Sequence, residues 1–268
     1  MKHIEWLKET DKVLNTPDGR SIQVYELAHN QDDDILSEWA KHFRNHYCKD
    51  NEIDSLREGT GYSREEFLIN MKFPDEKNAP GPSIRAGDFG EILIADYLEY
   101  ISGYYVPRIR YCDKAIRNES TKGCDVIGFK LYNIESFSTK DILAIYEVKA
   151  KLTGNDLENK LQEAVDDSLK DVTRKGESLN YIKQHFLKQG KVDIVSQVAR
   201  FQNPEDKPYQ ELFGAAALFS TSCYNDECIT NTDTSAHPTG KDLKLIVVYG
   251  KDMMDLVKEL YRRAANEA

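Results

Sequence analysis

The sequence predicts an α/β (α+β) protein with a mixed central sheet flanked by helices and a small N-terminal α/β subdomain. After residue 83, short β-branched and apolar runs alternate with longer amphipathic stretches, which is typical of a sheet covered by helices. Before residue 74, a hairpin pattern is followed by helical patterns. The segment 74–82, rich in Pro, Gly and charge, separates the two, so we expect an N-terminal subdomain at 1–80 and a main domain at 83–268.

The composition is that of an ordinary globular protein. Of 268 residues, 40% are hydrophobic and 31% charged, so the chain can bury a large core without disulfides. The five cysteines lack Cys-x-x-Cys spacing and predict free thiols. There is no apolar run of the roughly eighteen residues that a membrane span needs. The first residues also lack a secretory signal pattern, so we expect no membrane association and a cytoplasmic location.

The N-terminal elements are predicted from turn and capping signals. Residues 4–29 indicate a β-hairpin, because a Thr-Pro-Asp-Gly turn precedes an alternating apolar and polar run. A helical pattern follows over 32–47, and its first residues are acidic, as the helix dipole favours. Ser63 and Glu66 form a capping-box pattern, which predicts that a second short helix begins there.

The main domain is predicted to begin with a helix, which is followed by strands and further helices. The apolar pattern over 84–101 predicts a helix that ends at Gly103. Strands are predicted at 104–111, 124–131, 142–150, 214–220 and 243–249. The short polar loop 133–140 favours an antiparallel pairing of the strands that it joins. Further helices are expected at 157–198, interrupted near Gly176 and Gly190, and at 251–265.

Two charged residues interrupt an apolar strand. Glu147 and Lys149 stand two residues apart within the run 144–150, so their side chains point to one face about 7 Å apart. Burying such charges costs several kcal/mol unless they are paired or bind a metal. Asp125 stands at the start of another apolar strand and needs a partner for the same reason. This pattern indicates a functional site.

The same residues predict a magnesium site. If the two strands are neighbours, Asp125 and Glu147 can converge on one Mg²⁺, or Mn²⁺ in its place, with the Val148 carbonyl as a further ligand. Lys149 would orient a metal-bound water and stabilise the charge of a phosphorane. Glu91, in the preceding helix, is expected to be an additional ligand or to support the site. Such a set can hydrolyse a phosphodiester without histidine.

Two glycines lie close to Glu91 in that helix. Gly87 and Gly90 stand on one side of it, and each costs about 1 kcal/mol relative to alanine. We therefore expect another backbone to approach the helix closely at these positions.

The net charge argues against broad attraction to a polyanion. The chain carries 36 basic and 46 acidic residues, a formal charge of −10. A nucleic-acid-binding protein with this charge needs a local basic groove, a divalent metal or a partner that brings the nucleic acid. Lys151 and Lys170 are the candidate DNA contacts in such a groove. Further basic candidates are Lys149, Lys160, Arg174 and Lys175.

The order of these motifs resembles that of the PD-(D/E)XK nucleases. A glutamate lies on a leading helix, Gly-x-Asp on one strand and Glu-x-Lys on the next. The segments 87–91, 122–125 and 146–151 together resemble more specifically the HamA family, nuclease subunits of Hachiman anti-phage defence systems. The resemblance covers roughly 83–250 and implies a restriction-endonuclease-like core, a metal-dependent DNA nuclease effector and a HamB-like superfamily 2 helicase as partner. By this likeness Asp125, Glu147 and Lys149 are catalytic, and Glu91 supports them. Gly-Cys precedes Asp125 where other nucleases of the class carry Pro.

Simpler interpretations stand beside these. Glu147 and Lys149 could instead form a cross-strand ion pair on an exposed edge strand. Asp125 could instead be an ordinary residue of a turn that leads into a strand. His42 and His46 have the spacing of a two-histidine metal face, but no glutamate follows His42, so surface histidines are expected. A non-catalytic subunit that binds DNA or a partner is the alternative function. The same chemistry would also serve an RNase or a junction resolvase.

Overall fold

The fold is a mixed sheet of seven strands covered by helices on both faces. The structure, a computed structural model, describes residues 1–238 and 242–268. The strands are β1 (Leu7–Glu9), β2 (Leu14–Asn15), β3 (Ser21–Leu27), β4 (Val126–Lys130), β5 (Ile142–Lys151), β6 (Gln210–Ser220) and β7 (Asp242–Gly250). Their order across the sheet is β1-β3-β7-β6-β5-β4, with β2 also paired to β3. The predicted mixed sheet flanked by helices is confirmed.

Both parallel and antiparallel pairs occur in the sheet. The strands β3, β7, β6 and β5 run parallel to one another, and β4 is antiparallel to β5, as predicted. Parallel strands are buried on both faces, which explains why β6 and β7 are nearly continuous apolar runs.

The helices are α1 (Asp33–Tyr47), α2 (Ile53–Arg57), α3 (Arg64–Phe67), α4 (Gly81–Asp96), α5 (Lys160–Lys188), α6 (Val192–Ala199), α7 (Asp226–Thr230) and α8 (Met253–Asn266). One apolar cluster packs α1, α4 and α8 on one face of the sheet. A second cluster packs α5 and α6 on the other. None of the helices in the described ranges is long and apolar enough to cross a lipid bilayer.

Residues 1–80 share the sheet and the first apolar cluster with the rest of the chain. Strand β3 pairs with β1 and β2 as the predicted hairpin, and on its other side it pairs with β7. Trp39 and Phe43 of α1 are fully buried in the same cluster as Leu260 of α8. The expected boundary at 80–83 coincides with the start of α4, while the division into two domains stays a prediction.

Several predicted elements are confirmed, and two are wrong. The Asp32 side chain caps α1, and Ser63 and Glu66 form the expected capping box. Residues 104–111 are not a strand: they pair with β4 only through an isolated bridge at Tyr105, and Pro107 has no N–H for a ladder. Helix α5 runs through Gly176, because packing of its apolar face against the sheet outweighs the cost of one glycine.

Candidate active site

Strand β5 carries Glu147 and Lys149 into the site. Leu143 and Ile145 of this strand pack against α5, so the alternation of side chains also directs Glu147 and Lys149 to the α5 face. The strand pairs with β6 along its whole length and with β4 up to Tyr146, so Glu147 and Lys149 lie just beyond the β4 ladder. The burial of Glu147 argues against the exposed edge strand that was the simpler interpretation. Glu147 is buried, with 4% of its surface exposed.

Asp125 lies beside Glu147 at the end of β4. The ladder pairs Val126 with Tyr146, so one step beyond it Asp125 stands opposite Glu147, and opposite residues share a face. The Val148 backbone N–H donates to Asp125 Oδ2 at 3.0 Å. The N–H and C=O of one strand residue point to the same edge, so the Val148 carbonyl also faces this end of β4. The two carboxylates are therefore neighbours.

Arg110 links Asp125 to Glu91. Its Nη2 donates to Asp125 Oδ1 at 2.7 Å, and its Nε lies 2.6 Å from Glu91 Oε2. Its Nη1 donates to the Cys124 carbonyl at 2.7 Å, which fixes the guanidinium in place. The Tyr111 hydroxyl also donates to Glu91, at 2.5 Å. Sequence reasoning missed Arg110 because it lies in the segment that was predicted as a strand.

Lys149 forms two ion pairs within the site. Its Nζ lies 2.7 Å from Glu147 Oε1 and 2.6 Å from Asp167 Oδ2 of α5. These two carboxylates raise the pKa of Lys149 despite its partial burial, so it is cationic. Glu147 Oε2 is buried and accepts no hydrogen bond within the described part of the chain. Lys149 therefore neutralises only part of the charge around it.

Burial raises the pKa of three carboxyl groups at the site. Burial, with the charge of Asp125 next, raises the pKa of Glu147 to about 7. Burial likewise raises the pKa of Glu91 to about 8, although Arg110 acts in the opposite direction. On α5, Asp171 is fully buried, and burial raises its pKa to about 6. The sequence alone gives no sign that Asp171 is buried, because it lies on a helix rich in charged residues.

The ligand types that these residues offer suit a divalent metal. Carboxylate oxygens and a backbone carbonyl are the ligands that Mg²⁺ prefers, and the raised pKa values indicate that another cation would stabilise the cluster. Within the described ranges, however, these carboxylates do not place three ligand oxygens within 4.8 Å of one another. Arg110 is one reason, since its guanidinium bridges Glu91 and Asp125.

The candidate DNA contacts all have acidic partners. Lys151 pairs with Glu158, and Lys170 pairs with Asp167 near the site. Lys160 also contacts Glu158, at 2.7 Å. The lysines predicted to form a basic groove are therefore partly neutralised within the chain.

Gly90 allows α4 to pack closely on the site strands. A β-carbon at Gly90 would lie 3.3 Å from Val148 Cγ1 and 3.4 Å from Leu218 Cδ1. Gly87 has open space instead, so the expected close approach of another backbone is wrong at both glycines, although Gly90 does lie in tight packing. The contact at Gly90 is with side chains rather than with another backbone.

A cavity of about 400 Å³ adjoins Asp125. Arg110, Lys114 and Lys122 supply positive charge to its lining, and Tyr181 supplies an aromatic face. Asp113, Asp125 and Glu177 also line it, so the site opens into a space whose walls carry both charges beside apolar surface.

A protein family model described as HamA matches residues 1–264, nearly the whole chain and well beyond the segments that carry the sequence resemblance. No curated protein matches the chain.

Proposed function

The chain belongs to the HamA family and so is a component of a Hachiman defence system, and from that premise we propose that it is a metal-dependent DNA nuclease. We infer that its sheet and helices form the restriction-endonuclease-like core of the PD-(D/E)XK nucleases. Its proposed role is that of an effector that hydrolyses phosphodiester bonds under the control of a HamB-like helicase.

One observation carries the proposal. Asp125 and Glu147 lie opposite each other on neighbouring strands, and Lys149 follows two residues later on the same face. Glu147 is buried, one of its oxygens has no hydrogen-bond partner among the described residues, and its pKa is raised to about 7. Burying a carboxylate cluster of this kind costs stability unless the charges are paired or bind a metal. Such a cluster, with raised pKa values, is typical of a functional site.

The proposed metal ligands are Asp125, Glu147 and the Val148 carbonyl, with Glu91 as an additional ligand. When bound, Mg²⁺ or Mn²⁺ would polarise the scissile phosphate and make a bound water more acidic. Asp125 is positioned for this by the Val148 N–H, and Glu147 by the pairing of β5 with β6.

Lys149 is the proposed electrostatic catalyst. Its ammonium is held by Glu147 and Asp167 from two directions, so it is fixed before substrate arrives. A preorganised cation stabilises charge that develops on a phosphate without the cost of reorganisation. Asp167 is a positioning residue in this scheme, because it acts through Lys149.

The test is cleavage of plasmid DNA in Mg²⁺ by the full chain, alone and with its helicase partner. Glu147→Ala and Lys149→Ala should each abolish cleavage, whereas Lys258→Ala, an exposed lysine on α8, should not. Competition with RNA and with branched DNA would separate a DNase from an RNase or a junction resolvase. Equal cleavage by wild type and Glu147→Ala would refute the proposal.

A non-catalytic subunit that binds DNA or its partner is the second candidate. The observation that favours it is Arg110, which already neutralises two of the proposed metal ligands. Under this alternative, DNA binding persists in Glu147→Ala and no condition with the partner gives cleavage.

A further inference from the structure

A cluster of three histidines and one aspartate lies outside the proposed nuclease site. His42 and His46 are one turn apart on α1, and Asp96 is the last residue of α4. His3 reaches them from the turn at Lys2–Trp6. The His3 and Asp96 side chains are fully buried, the His42 side chain is 9% exposed, and His46 is buried. The histidines are therefore not the surface residues that the sequence indicated.

The spacing of the ligand atoms matches a tetrahedral metal site. Zinc bonds to histidine are about 2.0–2.1 Å long, which places two nitrogens on one ion about 3.3–3.4 Å apart. His42 Nε2 and His46 Nε2 are separated by 3.4 Å. Asp96 Oδ1 lies 2.8 Å from His42 Nε2, and all three atoms lie within 4.8 Å of one another. One ion can contact all three after small movements.

His3 offers a fourth ligand. Its Nε2 lies 2.9 Å from Asp96 Oδ2, the second oxygen of the same carboxylate. Its Nδ1 is buried with no hydrogen-bond partner in the described part of the chain. The ring stacks on Trp39 with centroids 4.4 Å apart, which holds it in the cluster. The contact with Asp96 makes His3 Nε2 the ring nitrogen that faces the other ligands.

We propose that His42, His46, Asp96 and His3 form a structural zinc site. Imidazole nitrogens suit zinc, whereas Mg²⁺ prefers oxygen ligands, so the site differs in kind from the carboxylates around Asp125. Four protein ligands in a buried position are typical of a structural rather than a catalytic zinc. The ion would tie the first residues and α1 to the end of α4.

Zinc binding at this site requires a change in the contacts of Arg108. Its Nη1 lies 3.0 Å from His46 Nε2, and its Nη2 lies 2.6 Å from Asp96 Oδ1. Zinc replaces the contact with His46, and Arg108 retains its ion pair with Glu99 at 2.7 Å. Burial, and next the charge of Arg108, hold the pKa of His46 well below its usual value.

The first test is elemental analysis of the purified full chain after exposure to Zn²⁺ and gel filtration. We expect one zinc per chain in wild type and less than a tenth of that in His42→Gln and His46→Gln. Glu147→Gln should retain the ion, because it alters only the nuclease site. His185→Gln is the second control, since His185, Cys112 and Asp113 form a further group with suitable ligand spacing among the described residues.

A second test needs no variant. Replacement of zinc by Co²⁺ should give the intense visible absorption of a tetrahedral site, and a chelator should lower the Tm of wild type until Zn²⁺ is restored.

Three results would each overturn the proposal. They are wild type without bound zinc, retention of zinc by the His42→Gln/His46→Gln double variant, and loss of zinc in His185→Gln.

Discussion

The Arg110 guanidinium lies 2.7 Å from Asp125, so a cation of the chain itself is bound to one of the proposed metal ligands. The same side chain contacts Glu91 at 2.6 Å. A divalent metal and Arg110 would therefore compete for the same oxygens. This relationship makes Arg110 the most informative residue to change.

Arg110→Gln should destabilise the metal-free protein by about 2–4 kcal/mol, because it leaves two half-buried carboxylates without their cation. Added Mg²⁺ should then raise the free energy of unfolding of the variant more than that of wild type, since the metal no longer displaces a guanidinium. Urea unfolding in EDTA and in Mg²⁺ measures both effects. Arg262→Gln removes an exposed arginine of α8 and should cost less than about 1 kcal/mol. An Arg110→Gln protein that matches wild type in both buffers would contradict this expectation.

The pKa of Glu147, raised to about 7, predicts a pH-dependent stability in the absence of metal. Between pH 4.5 and 7 the folded protein keeps a proton on Glu147 that the unfolded chain has lost, so the free energy of unfolding falls as pH rises. The slope for this one group is at most about 1.4 kcal/mol per pH unit.

Glu147→Gln should remove that part of the slope. It should resemble wild type near pH 4.5 and be the more stable of the two at pH 8 in EDTA, as urea unfolding at both pH values would show. Mg²⁺ affinity of wild type should rise over the same range, because the ionised carboxylate binds the metal. Parallel stability curves for the two proteins would show that Glu147 is not the group responsible.

The two glycines of α4 should respond in opposite ways. Gly87→Ala adds a methyl group into open space and should stabilise the protein by up to about 1 kcal/mol through helix propensity. Gly90→Val would press on Val148 and Leu218 and should destabilise by about 1–3 kcal/mol. Thermal unfolding of the two variants beside wild type measures the contrast. If both substitutions shift Tm in the same direction, the packing described at Gly90 is wrong.

Glu158 limits the positive charge available to DNA. It pairs with both Lys151 and Lys160, and Lys160 also contacts Glu163. Glu158→Gln should therefore free Lys151 and remove one of the acidic partners of Lys160. We expect a higher affinity for a short duplex and a dependence of affinity on salt that is steeper by about 1 in log–log slope. Lys151→Ala should reduce that slope by up to about 1. Fluorescence anisotropy at several salt concentrations without Mg²⁺ measures both.

The matched control for that measurement is Glu5→Gln, which removes the same charge without releasing a lysine. Equal effects of Glu158→Gln and Glu5→Gln would mean that net charge, rather than the freed lysine, governs binding.

The proposed nuclease residues could be found in the sequence because charge in an apolar strand is conspicuous. Asp125, Glu147 and Lys149 each break such a run, and the loop before β5 indicated the antiparallel pairing that joins them. Arg110 and Asp171 could not be found in this way. Their importance comes from contacts made across the fold, and an arginine in an irregular segment or an aspartate on a polar helix looks ordinary by itself.

The same limit explains the errors in secondary structure. The segment 104–111 has strand-like residues, but Arg108 and Arg110 turn to buried carboxylates instead of following a ladder. His42 and His46 showed the right spacing on α1, yet only the fold brings Asp96 and His3 to them. Local patterns thus predicted most elements, while residues brought together from distant segments needed the structure.

The parallel pairing of β3 with β7 has a consequence for synthesis. Ile22 is bonded in register with Leu245, so the inner edge of the early hairpin has no partner until more than two hundred further residues have been translated. At about 5–20 residues per second, that wait lasts roughly 10–45 s. During it, an apolar strand edge is open to other nascent chains, and we expect chaperones that shield such edges to govern the yield of this protein in the cell.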